Sequence, residues 1–509
     1  MNEKFAKQFR SIFLITRILF LLFVIELLVS GSVCAEKQDA DIKNAMVRIY
    51  TINSEASYSK PWMMMPPSVV NGSGFIIEGN RVLTNAHIVA NQTFIRVTRY
   101  GKSKKYHASV LYVSHEADLA LLAIDDEEFF SGITALHLSD LPAVEQNVRI
   151  YGFPGSKKLT IIDGILSRID LLEYKHSSSF FLAGEIVASI KSGNSGGPVI
   201  SNNRVAGIVM QASSAKKIAH MIPAPVIKHF LEDIADGRYD GFPDIGLITQ
   251  NMKNPYLKNK YNLQNDQTGV LINQVLPGSE DENKLQKNDI ILAINGYNIR
   301  DDGNVEFQPG EWTNYNYVIE MQQIGEKINL DIMRSGKIKN LTLSLNKTRK
   351  DFLLVPNEQY DKRPKYFIFG GIVFSTLTKN FLNAFDDAAN ELTVELSNWP
   401  TKEKKEVVIA LKVLPADINE GYHDVNSWEV SEVNGNKFKD LNELYYLVTT
   451  SADPYVTFKN KNGYEVVIDR KKAKESHKHI LSTYNIKKDS SSDLASLHAE
   501  GYHGRGTHQ

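Results

Sequence analysis

At 509 residues the chain is long enough for about three domains. Lys plus Arg number 58 against 59 Asp plus Glu, a balance that offers no electrostatic footprint for a nucleic-acid partner. The one cysteine, Cys34, excludes a disulfide framework and a thiolate metal site within one chain.

Residues 1–35 read as an export signal. Lys4, Lys7, Arg10 and Arg17 form a basic lead, and Ile18 to Val29 is apolar except for Glu26. Gly31-Ser32-Val33-Cys34-Ala35 supplies small residues for cleavage after Ala35. The alternative is an uncleaved membrane anchor, because Ile12 to Val29 approaches spanning length. The expectation is an exported chain, periplasmic or secreted.

Residues 36–44 are a polar lead-in. Short β-like runs follow at Met46 to Ile52, Phe75 to Ile77, Arg81 to Leu83, Phe94 to Thr98, Ser109 to Val113, Leu119 to Ile124 and Val148 to Tyr151. Short strands with turns between them predict an antiparallel barrel or sandwich. Between the first two runs, Ser54 to Ser68 holds Pro61, Pro66 and Pro67 around Trp62-Met63-Met64-Met65, and reads as a surface loop whose methionines pack locally. By composition, Gly152 to Ser156 and Leu171 to Phe180 are loops as well. Val226, Ile227, Phe230, Leu231 and Ile234 recur at helical spacing over Ala224 to Ala235. Asp236-Gly237-Arg238 ends that helix and sets a domain boundary near residue 240.

Three blocks in this first region carry chemistry. Ser192-Gly193-Asn194-Ser195-Gly196-Gly197-Pro198-Val199 places a serine among glycines, ahead of a strand-like run. Glycines suit a sharp turn that a substrate carbonyl can approach closely. There the N–H groups of Gly193 and Ser195 can converge on the oxyanion of a tetrahedral intermediate. A serine hydroxyl attacks only with a base beside it. Thr84-Asn85-Ala86-His87-Ile88-Val89 supplies His87 just after a β-like run, and Asp118 heads the apolar run Leu119-Ala120-Leu121-Leu122. Each block alone has a bland reading, as a glycine turn, a packed histidine or a strand-starting acid. Together, in the order His, Asp, Ser, they match one of the known chain orders of the serine-protease triad.

These blocks resemble the HtrA/Deg serine proteases. Gly72-Ser73-Gly74-Phe75, Gly164-Ile165-Leu166-Ser167, Gly207-Ile208-Val209-Met210 and Ile222-Pro223-Ala224-Pro225-Val226-Ile227 are similar to that family's strands and terminal helix. The resemblance implies a mainly β fold, with a double six-stranded antiparallel β-barrel protease domain over 36–240. It implies that Ile190 and Met210 lie near the S1 pocket. No acidic residue occurs in Ser189 to Ser192 or Gly207 to Ser214, so a small or medium aliphatic P1 residue is expected rather than Lys or Arg. It also implies a homo-oligomer of trimers or multiples of trimers, in which the Ser54 to Ser68 loop can contact neighbouring subunits.

Residues 241–348 have a PDZ-like order, and Leu285 to Gly296 is its most specific stretch, a buried strand ending in a turn at Asn295-Gly296. Ile245, Gly246 and Leu247 would form the loop that receives a peptide, which adds as a strand to an open edge; the alternative is a packing domain whose groove is closed. Residues 360–482 repeat the pattern more weakly, with Trp428 to Gly435 echoing Ala293 to Gly296. Two PDZ-like α+β domains are therefore expected. Arg363-Pro364-Lys365-Tyr366 and Pro415-Ala416-Asp417-Ile418-Asn419 resemble plant-type Deg proteases. Residues 483–509 are polar and read as a flexible tail. Its His498, His503 and His508 are unpatterned, so no metal is expected. No phosphate-cradling loop appears, so neither ATP nor another cofactor is expected.

The sequence thus predicts an ATP-independent serine endopeptidase acting on unfolded or damaged proteins in quality control. A chaperone or scaffold with secondary proteolysis is the alternative.

Overall fold

The computed structural model describes residues 37–155, 158–188, 190, 193–213, 217–264, 266–279, 284–385 and 390–494. Strands β1 (Met46–Asn53), β2 (Ser68–Ile77), β3 (Arg81–Thr84), β4 (Gln92–Arg99), β5 (Tyr106–Ser114) and β6 (Leu119–Ala123) close an antiparallel barrel in the order β1-β2-β3-β6-β5-β4. Alternation decides which way each strand faces: in β5, Tyr106 and Ala108 are buried while His107 and Ser109 are exposed. Leu119 to Leu122 of β6 are buried throughout, which explains their unbroken apolar run.

Strands β7 (Asn147–Gly152), β8 (Thr160–Tyr174), β9 (Ser179–Val187), β10 (Pro198–Ser201), β11 (Arg204–Ser213) and β12 (Ile218–Pro223) close a second barrel in the order β10-β11-β12-β9-β8-β7. A continuous apolar core spans both barrels, including Phe75, Leu83 and Leu121 from the first and Tyr151, Leu166 and Ile208 from the second.

The lead-in is a helix, α1, over residues 37–45. Its Asp39 accepts hydrogen bonds from Tyr151 Oη (2.7 Å) and Arg149 (3.2 Å), which strap it to the second barrel. Helix α2 (Ala86–Val89) follows β3, and α3 (Ala224–Asp233) closes the domain. The loop expected over Leu171 to Phe180 is instead mostly hairpin. Leu171 pairs with Leu182 and Tyr174 with Ser179, and buried Tyr174 donates its hydroxyl to Leu182 O at 2.6 Å. Cross-strand pairing ordered a stretch whose charged residues look loop-like alone.

In the next domain, β13 (Leu247–Asn251), β14 (Val270–Val275), β15 (Ile290–Ile294), β19 (Lys327–Arg334) and β20 (Lys337–Ser344) form a sheet in that order. The short β16 (Tyr297–Asn298) pairs with β15 across Asn295 (φ 47°) and Gly296 (φ 82°), whose positive φ angles suit a tight two-residue hairpin. Strands β17 (Asn304–Gln308) and β18 (Glu311–Asn314) make a separate hairpin. Helices α4 (Pro255–Lys260) and α5 (Asn316–Glu320) complete the unit.

The last domain holds β21 (Tyr366–Phe369), β22 (Ile372–Thr376), β23 (Val408–Val413) and β24 (Asn426–Glu429) in one sheet. A second sheet holds β25 (Glu432–Val433), β26 (Tyr455–Lys459) and β27 (Glu465–Asp469). Helices Leu441–Thr450 and Arg470–Thr483 pack with them. Tyr58 and Trp62 of the proline-rich loop pack against this domain's core, while Met63, Met64 and Met65 are exposed rather than packed locally.

The flexible tail expected from residue 483 is corrected for residues 484–494. Ile368 N–H donates to Asp489 O and Ser491 N–H to Tyr366 O, both at 2.8 Å, and Leu494 is buried in the core. Within this polar stretch the backbone extends the sheet edge, and Ile486 and Leu494 are the apolar side chains buried in the core. His498, His503 and His508 lie outside the described residues.

Candidate active site

His87 and Asp118 meet because β3 and β6 pair directly and each runs into a turn at the same end of the barrel. Asp118 takes a left-handed conformation (φ 53°), which Asp tolerates better than most residues. Asn85 Nδ2 holds its carbonyl at 2.9 Å. One Asp118 oxygen accepts the His87 backbone N–H at 2.9 Å, and both face the imidazole Nδ1, at 3.0 and 2.8 Å. A carboxylate in this place accepts a hydrogen bond from Nδ1–H, which fixes the tautomer and leaves Nε2 free to accept a proton. Burial draws His87 downward, but the charge and hydrogen bond of Asp118 outweigh it and raise its pKa above the ordinary histidine value.

Ser195 sits in a turn clamped to β2. Ser73 N–H donates to Ser195 O at 2.9 Å, and Ser73 Oγ donates to Gly193 O at 2.7 Å while accepting Phe153 N–H at 2.9 Å. Gly196 (φ 80°) presses so close that an added Cβ would stand 2.0 Å from Ser73 O and 2.5 Å from Thr84 Oγ1. The Ser195 hydroxyl donates to Met210 O at 3.2 Å, so its proton points along β11 rather than at His87. Ile190 and Met210 are both buried in the core. Ser189, Lys191 and Ser192 lie outside the described residues.

Residues 72–208 match the family model for a trypsin-like peptidase domain, and residues 257–333 and 355–493 match PDZ domain models. The mitochondrial Do-like protease 3 of Arabidopsis thaliana is 37% identical over 454 residues, covering 89% of this chain and 80% of its own. The mitochondrial Do-like protease 4 of the same plant is 36% identical over 446 residues, covering 87% and 84%. The chloroplastic Do-like protease 2 is 31% identical over 474 residues, covering 90% and 77%. The chain belongs to the HtrA/Deg family of serine proteases.

The family's location corrects one expectation. These Do-like relatives carry organellar names, so a periplasmic or secreted place is overturned. The reason is physical: a basic, apolar leader suits several translocation systems, and its charge and length do not specify a compartment. Residues 1–36, on which the signal and anchor readings fall, lie outside the described residues. No described helix is long and apolar enough to cross a membrane.

Other residues of the chain bear on the site. Ser73, Thr84 and Asn85 are buried polar residues that align the three blocks; they lie within the quoted motifs, but nothing in those motifs assigns them this role. His176 stands 6.2 Å from His87, ring centre to ring centre, and contacts His115 from the turn before Asp118. In the first PDZ domain, Gly246 N–H bonds Asp244 Oδ1 at 2.7 Å, and the buried Phe352 ring lies against Gly246. Leu247 begins β13, which is an edge strand, and Ile245 packs into the domain core.

Proposed function

We propose that this protease cuts peptide bonds through an acyl-enzyme, with Ser195 as nucleophile, His87 as base and then acid, and Asp118 as orienter. The observation that carries it is the two-oxygen grip of Asp118 on His87 Nδ1, which leaves His87 Nε2 as the accepting nitrogen. A rotation about the Ser195 Cα–Cβ bond moves its proton from Met210 O toward that nitrogen. Ser195 Oγ then attacks the scissile carbonyl, His87 takes the proton and passes it to the leaving amine, and water releases the acyl group by the same route. The N–H groups of Gly193 and Ser195 stabilise the oxyanion. Ile190 and Met210, both apolar, favour a small or medium aliphatic P1 side chain.

Substrates are unfolded or damaged proteins, as two PDZ domains and a protease without an ATP loop suit. The relatives' names support an organellar compartment. Assembly into trimers rests on the resemblance, and sedimentation of the full chain checks it.

The test is digestion of a loosely folded protein without ATP, beside Ser195→Ala. The variant should lose on the order of 10⁶-fold in kcat while still binding the substrate. Fragment ends then report the P1 preference. Equal cutting by both proteins removes Ser195 from its role. If neither cuts but both suppress aggregation, the chaperone reading replaces this one.

A further inference from the structure

The first residues of the second PDZ domain reach back to the protease domain behind His87 and Asp118. Asp361 bridges two segments there. Its Oδ1 accepts Asn91 N–H at 2.6 Å, and its own N–H donates to Asn91 Oδ1 at 2.8 Å. Its Oδ2 meets His115 Nε2 at 2.8 Å. Asn91 lies just beyond α2, which carries His87. His115 lies in the turn that carries Asp118, and its carbonyl accepts Asp118 N–H at 3.4 Å.

The neighbouring Tyr360 acts on the same group of rings. It stacks on His176 with ring centres 3.9 Å apart and planes 22° apart, and its hydroxyl donates to His176 O at 2.6 Å. His176 Nε2 in turn lies 3.0 Å from His115 Nδ1. Burial pushes His176 down to about 4, so it is neutral near pH 7. A neutral His176 can donate Nε2–H to His115 Nδ1 while His115 donates Nε2–H to the Asp361 carboxylate.

We propose that Asp361 and Tyr360, acting through Asn91, His115 and His176, are positioning residues that align the His87–Asp118 pair from the start of the second PDZ domain. One carboxylate holds the segment behind each partner, so its loss lets the two drift separately. The proposal rests on the triad reading above, and its consequence is that movement of the second PDZ domain changes turnover.

The experiment uses the full chain and a short fluorogenic peptide that the wild type cuts, so that PDZ capture of long substrates does not enter. Asp361→Ala should lower kcat about tenfold with KM changed less than about twofold, since misplacement of catalytic groups costs rate before binding. Asp361→Asn should restore most of the loss. Its oxygen still accepts from Asn91, and its amide can donate to His115 Nε2 once His115 and His176 both change tautomer, so that His115 Nδ1–H donates to His176 Nε2. Tyr360→Phe keeps the stack, loses the hydrogen bond and should fall between. Thermal melting reads folding separately, and Asp361, at the surface, should move it little. If Asp361→Ala turns over within about twofold of wild type while Ser195→Ala is dead, this proposal alone is wrong. It is equally wrong if kcat and melting fall together and Asp361→Asn is no better than Asp361→Ala. If Ser195→Ala still cuts, the triad reading fails and takes this proposal with it.

Discussion

A methyl group at position 196 has nowhere to go. Beside Ser73 O it must displace backbone, and its φ of 80° is strained for alanine. Gly196→Ala should cost about 2 kcal/mol or more in stability, and its Ser195 should fail to react with a fluorophosphonate probe that labels wild type. The next contact in, His87–Asp118, sets a pH dependence. The base works neutral, and Asp118 raises its pKa, so kcat/KM should rise with pH through a midpoint above the ordinary value of about 6.5. Asp118→Asn removes the charge that holds the proton on. The rising limb should move to lower pH and kcat should fall about 10⁴-fold, as a pH–rate profile of both proteins would read. A limb that stays in place would mean another group titrates.

Among the elements, β15 and β19 of the first PDZ domain show what the signature Lys287-Asn288-Asp289-Ile290 is for. Asp289 is 1% exposed, and Arg334 grips it through two nitrogens, at 2.7 and 2.6 Å. The same carboxylate accepts Gln286 N–H at 2.9 Å. Arg334→Ala strands a buried charge, and denaturant unfolding should show a loss of about 3–5 kcal/mol; Arg334→Lys, without the fork, should recover only part. The edge strand β13 is flanked by a loop whose Gly246 N–H is already used by Asp244. A peptide adding along β13 keeps its strand hydrogen bonds, whereas a terminal carboxylate must first displace the Asp244 side chain.

At the scale of the whole molecule, the first PDZ domain is seated on the barrels rather than tethered. Phe307, Tyr317 and Met321 pack against the protease core, and Gln308 Nε2 donates to Leu141 O at 3.3 Å. His229 Nε2 meets Gln322 O at 2.7 Å on the other side of the contact. Phe307→Asp puts a charge into that seam. Limited proteolysis should then cut near residues 237–246, where wild type resists, while both domains keep their fold.

Much of this was legible because it is local. The barrel strands carry their own alternation, α3 its own 3.6-residue spacing, and the Asn295-Gly296 hairpin its own positive-φ residues. The Ser, His and Asp blocks stand out because a sharp glycine turn, a strand-end histidine and an acid heading an apolar run each leave a short pattern. These features follow from neighbours within a few residues, and the sequence by itself determined them. What tertiary structure alone decided are the contacts between distant segments. Ser73 bonding Gly193 and Asp361 bridging Asn91 and His115 join residues 120 or more positions apart. A buried polar side chain is stable only where its partner happens to arrive. That partner is chosen by the packing of whole domains, so the residues around buried Ser73 do not name Gly193 as its partner, nor do those around exposed Asp361 name Asn91 and His115.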